Sequence, residues 1–207
     1  MIKPNKLIIK LIGTSFFVHA GWGLIAPIFA IFISDQIRGG TIEMVGIAVG
    51  IHWIVKSAIQ PFLAYKMDVV KGEHDDMVFL LRGCAVITVI PILYLFAFEI
   101  WHVFLLEAVR GVALAMIIPT LSGVFTRHVD ENWESYAWSL NSTGIGFAFG
   151  FSAIFGGVMA ATLGFQAVFI LVSVISAVAL LAVHFTIKTD PWLRNGDEEE
   201  KEIEDVS

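Results

Sequence analysis

The side chains of this 207-residue sequence that could do chemistry stand inside long apolar stretches. A centrally placed Arg, Lys or Asp in a bilayer costs about 3 kcal/mol even on the lenient insertion scale, so such residues are expected to face protein or water. His52, Lys56 and Gln60 follow one another at i, i+4 and i+8, which puts them on one helical stripe. Ser15, His19 and Trp22 share a face, Glu107 and Arg110 stand one turn apart, and Asn141 lies near the cytoplasmic end of a later stretch. At a rise of about 1.5 Å per residue, His19 sits near mid-membrane, His52 and Arg110 reach a common depth, Glu107 lies further out and Lys56 further in. Together they outline a charged column suited to a solute or a coupling ion. Lys56 and Arg110 against Glu107 leave one embedded positive charge before any histidine protonates, which favours an anionic or zwitterionic solute.

Each of these residues also has a plainer reading. The Lys56 amine can snorkel to the headgroups. His19 and His52 can be neutral imidazoles bonded to a neighbouring helix. Glu107 and Arg110 can form a structural ion pair in which loss of one partner strands the other charge. Asn141, Ser142 and Thr143 spell a glycosylation sequon, but its expected depth in the membrane opposes its use. Trp101, Trp133, Trp138 and Trp192 read as interfacial anchors. The single cysteine, Cys84, excludes an internal disulfide and a cysteine-only metal site, and reads as a packing residue. There is no His-Glu-x-x-His pair, Gly-x-Ser-x-Gly elbow or phosphate-binding glycine loop, so no enzyme, metal or cofactor is expected.

The elements that must position these residues are membrane helices. With 57% apolar residues, 15% charged and a mean hydropathy of +0.80, the chain lies far from soluble averages. Six apolar runs, at about 7–33, 41–64, 77–98, 101–125, 136–161 and 164–186, are each long enough to cross a hydrocarbon core. Unbroken runs exclude a β-barrel, which would show shorter alternating segments. The first run is too long for a signal peptide. Lys3, Lys6, Lys10, Lys66, Lys71, Arg82, Arg127, Lys188, Arg194 and Lys201 fall on one side against Arg38 on the other, which places both termini in the cytoplasm of a cell whose plasma membrane holds the chain. The net charge of -6 comes largely from the acidic tail at 191–207, expected to be disordered, and no basic surface suits nucleic acid.

Small residues and turns in the second half of the chain resemble the major facilitator superfamily. Ser152-Ala153-Ile154-Phe155-Gly156-Gly157 is similar to the family's Gly-Pro-x-x-Gly-Gly signature, with Ser and Ala at the Gly-Pro positions. The segment from Leu163 to Phe169 resembles the tight outer turn between the family's fifth and sixth helices. Leu105 through Ser122 resembles its Arg-x-x-Gln-Gly helix when Gly111 is the motif glycine, with Glu107 at the arginine and Arg110 at the glutamine. A degraded version of the charged turn between helices two and three leaves Asp68, Lys71 and Asp76 as gate residues, or as a solvated loop that enforces topology. The resemblance implies an all-α bundle of six transmembrane helices, equivalent to one half of the family's fold. Helices one and four would line a central cavity, and helices two and five would face the other half.

Gly146, Gly150, Gly156 and Gly157 are expected to let helices approach closely. A lone half would turn its polar faces to lipid, so a second six-helix half is expected, most simply another copy related by an axis along the membrane normal. The expected function is secondary transport of a small solute by alternating access, with a proton as candidate coupling ion. A non-transporting subunit that assembles through helices two and five is the alternative.

Overall fold

The computed structural model describes residues 6–69 and 73–189. These form α1 (Lys6–Ile25), α2 (Phe29–Gln36), α3 (Ile42–Val69), α4 (Glu73–Tyr94), α5 (Ile100–His128) and α6 (Glu134–Thr189), with no strand among the described residues. The chain is an all-helical bundle, and five of the helices are long and apolar enough to cross a membrane. The acidic tail lies outside the described residues.

Helix boundaries follow local chemistry. The run at 7–33 is split between α1 and α2 because Pro27, which lacks an N–H and disfavours helical geometry before it, sits in the intervening turn. Residues 134–189 form one long α6 broken at Gly164, whose φ of 82° and ψ of 171° suit glycine alone. Its two arms, 134–163 and 165–189, measure about 45 and 37 Å at helical rise, each enough for a crossing. The fourth helix stops at Tyr94, short of the apolar stretch that runs to residue 98, and turns at 95–97. The turn then ties to the first connection: the Arg38 N–H donates to the Phe98 carbonyl at 2.9 Å and the Ile100 N–H to the Arg38 carbonyl at 3.2 Å.

Packing pairs α1 with α6, α3 with α5, and α4 with both α5 and α6. Two apolar clusters fill the bundle. One, around Phe29, Phe32, Tyr94, Val103 and Phe169, lies toward the 37–41 and 95–99 turns. The other, around Leu11, Met77, Leu80, Ile117 and Val124, lies toward the opposite end and includes the fully buried Cys84.

The small residues of α6 are used more narrowly than their spacing implies. A side chain at Gly156 would collide with the Leu24 backbone, and one at Gly23 would lie 3.0 Å from the Phe149 backbone, so α1 and the first arm of α6 cross backbone to backbone there. Gly146, Gly150 and Gly157 meet nothing within 4 Å. Of the four glycines, Gly156 is the one at which two helices of this chain approach closely. The reason is angular: Gly146, Gly150 and Gly157 share one stripe, and Gly156 lies about 100° around the helix from it.

Candidate functional site

The bundle centre is built around a carboxylate with no solvent exposure. Glu107 lies on the buried face of α5, one turn before Arg110, which is 6% exposed. Arg110 Nε donates to both carboxylate oxygens, at 3.0 and 3.1 Å, and Nη2 donates to Oε2. From α4, the Tyr94 hydroxyl donates to Glu107 Oε1 at 2.5 Å. From α3, His52 Nδ1 approaches Oε2 to 3.9 Å without a hydrogen bond, although the imidazole is buried. From α1, the Trp22 ring lies 3.5 Å from the Arg110 guanidinium carbon. A desolvated cation–π contact of this kind contributes about 2 kcal/mol.

Local structure explains how these groups converge. Gly111 removes the side chain that would otherwise strike the His52 carbonyl at 2.8 Å, so α3 settles onto α5 and brings His52 beside Glu107. The Tyr94 ring is fixed by stacking on Phe169, with centroids 5.4 Å apart, and by edge contacts with Phe29 and Phe32. Its hydroxyl therefore has little freedom to leave the carboxylate. Trp22 is held in turn by an edge contact with Phe29 at 5.6 Å.

Of the residues singled out from sequence, the structure brings together Trp22, His52, Glu107 and Arg110. Lys56 lies one turn beyond His52 along α3, with its amine 4.5 Å from the centre of the Trp53 ring. His19 directs Nδ1 to its own helix, 2.7 Å from the Ser15 carbonyl. Gln60 and Asn141 are half-buried. The Asn141 Oδ1 atom is sealed from solvent without a hydrogen-bond partner among the described residues.

The gate residues separate. Asp68 is exposed at the end of α3, and Lys71 lies outside the described residues. Asp76 is buried and forms an ion pair with Arg127, which joins the start of α4 to the end of α5. Sequence reading counted Arg127 only as a topology-setting charge, and it missed Tyr94 altogether. A buried tyrosine needs a hydrogen-bond partner, and Glu107 lies two turns into the helix that follows Tyr94 across a short connection. Those two facts were the available signal, but nothing in the spacing aimed one at the other.

Chemically, the cluster is a charge-balanced pair with one fully surrounded acid and a planar cation capped by an indole. Taking one partner away would strand the other in a medium that cannot solvate it. The net positive charge expected from the sequence therefore resides on Lys56, while Arg110 is committed to Glu107. Among the described residues, no group of histidine, cysteine or acidic side chains could hold a metal ion. A profile of the Major Facilitator Superfamily matches residues 11–206. No curated protein matches the chain significantly.

Proposed function

The chain belongs to the Major Facilitator Superfamily and is a multi-pass membrane transporter, and from that premise we propose that it moves a small solute by alternating access as a dimer of six-helix halves. The observation that carries this reading is the buried Glu107–Arg110 pair under Trp22, set beside a helix that the rest of the chain leaves largely uncovered. Only 11% of the most apolar stretch of α3 is buried, against 50% for α5. Lipid alone is a poor cover for α3 and the first arm of α6, since Lys56, Gln60, Asn141 and Thr143 stand on them and polar groups in hydrocarbon are costly.

A second copy supplies a better cover. In this reading the exposed side chains of Trp53, Ile54 and Phe62 on α3 pack against the open stripe of Gly146, Gly150 and Gly157 on α6 of the other copy. A two-fold axis along the membrane normal repeats that pairing twice, as an isologous contact requires. The central surface then carries Lys56 and His19 from each copy, which favours an anionic or zwitterionic solute. Glu107 is the acid in the buried cluster able to carry a proton, and its partner Arg110 would be free to take a solute anion when it did. Asp68 and Asp76 belong to the cytoplasmic gate in this reading, with both termini in the cytoplasm and the plasma membrane as host.

Uptake into liposomes by purified protein tests the proposal. Arg110→Ala and Glu107→Gln should each abolish solute-driven uptake in protein that remains folded by size-exclusion profile, and Glu107→Gln should remove any dependence on a proton gradient. Uptake confined to cations or neutral sugars would overturn the solute class. Native mass spectrometry of the active species should give two copies, and a strictly monomeric active form would rule out the dimer. The non-transporting alternative uses the same uncovered faces, and crosslinking in native membranes to an unrelated protein, with no uptake activity, would favour it.

A further inference from the structure

A partly open pocket lies beside Arg110, between α1, α4, α5 and the second arm of α6. Its walls include Val18, Trp22, Tyr94, Arg110, Val172 and Ser176, and its volume is about 40 Å³. The chamber is mostly apolar, yet unused hydrogen-bonding capacity collects on its wall. Arg110 spends Nε and Nη2 on Glu107, while Nη1 has no protein acceptor among the described residues. Ser176 Oγ makes no hydrogen bond to protein among the described residues. Pro91, also on the wall, has no N–H to give to the carbonyl of Ile87, which lines the same space one turn earlier.

We infer that this chamber is a binding site for a small cluster of internal water that solvates Arg110 from behind. At roughly 10–15 Å³ of centre-accessible space per molecule, it holds about three waters. A buried water requires two to four polar partners, and Arg110 Nη1, Ser176 Oγ, the Ile87 carbonyl and the Tyr94 oxygen supply a donor, a mixed group and two acceptors. An aliphatic ligand would leave that capacity unmet, and a full anion would add uncompensated charge to a pair that Glu107 already balances. Water satisfies both constraints.

The consequence deepens the transport reading and rests on it. When Arg110 releases Glu107 to engage solute, the guanidinium must not become an unsolvated charge, and a hydrated back wall keeps acceptors beside it throughout. The chamber thus lowers the cost of exchanging partners at the buried pair.

Radiolytic hydroxyl labelling of the solubilised protein, read by mass spectrometry, tests this directly, because radicals formed from bound water mark the side chains beside it. Tyr94 is 1% exposed and should be labelled well above Phe169, which is equally buried in the same core but does not line the chamber. Filling the chamber with Leu114→Phe should lower Tyr94 labelling about tenfold by displacing the water, leaving the exposed Tyr136 unchanged. If that variant fails to fold, Val172→Phe serves the same purpose. Tyr94 labelling no higher than Phe169, or unaffected by filling, would overturn the water site. Solute uptake by the filled variant should fall about fivefold with solute binding retained, as expected when a desolvated charge slows partner exchange; unchanged uptake would overturn the functional role. If the wild-type protein moves no solute, the transport reading fails while the labelling result still decides the hydration.

Discussion

Helices α3 and α5 have similar mean hydropathy over their most apolar 18 residues, 1.5 and 1.8, and similar lengths, 28 and 29 residues, yet they occupy opposite situations in the molecule. The first buries little more than Ala48 and His52; the second buries a full stripe from Val103 to Phe125. The polar residues of α5 find partners within the chain, Glu107 with Arg110, Tyr94 and, at longer range, His52. Those of α3 beyond His52 stay at the bundle's edge. The comparison teaches that apolar content says a helix enters the membrane, while the placement of its polar residues says whether it faces its own chain or something else.

The largest effect expected from breaking this contrast is at the buried pair. Arg110→Ala leaves Glu107 unpaired and should cost about 3–5 kcal/mol, read as a large fall in thermal unfolding temperature in detergent. Removing both charges together with Glu107→Gln and Arg110→Met should cost less than the sum of the single changes, because neither partner is then stranded. Strict additivity would show that the pair is not energetically coupled.

A middle-sized effect separates the two kinds of glycine on α6. Gly156→Ala forces a methyl group against the Leu24 backbone and should destabilise the bundle by about 1–3 kcal/mol. Gly150→Leu should leave the stability of the isolated chain nearly unchanged but disrupt the proposed pairing of copies, seen as loss of the dimer peak in native mass spectrometry. Equal destabilisation by both substitutions would erase the distinction between an inner and an outer face.

The smallest effect is expected at the Arg38–Glu99 contact, where the side chains are 83% and 43% exposed and lie 3.5 Å apart. Arg38→Ala should cost less than about 1 kcal/mol, because solvent screens the pair and the backbone hydrogen bonds of residue 38 persist. A loss comparable to that of Arg110→Ala would make the connecting turns, rather than the buried pair, the principal polar tie of the bundle.

Much of the fold was legible in the sequence because the bilayer imposes simple rules. Apolar run length anticipated the helices, and Gly164 marked the break in α6. The break between α1 and α2 was written in Pro27 but hidden by continuous hydropathy. At the site, the i, i+3 spacing of Glu107 and Arg110 was enough to anticipate their pairing, since neighbours one turn apart share a face. The roles of Tyr94, Gly111 and Arg127 were not legible, because each acts on a residue of another helix and no periodicity within one segment reports a contact between two.

Local composition and spacing were therefore enough to read a helical membrane protein and its resemblance to the major facilitator superfamily. Transfer free energy reads composition and spacing directly. Packing between helices was needed to commit Arg110 to Glu107, to cap it with Trp22 and to leave Lys56 beside an uncovered face. It also decided that Gly156 alone, of the four glycines, serves close packing within the bundle. Those outcomes depend on the rotation of each helix about its axis, which is set by side-chain packing among all its neighbours together.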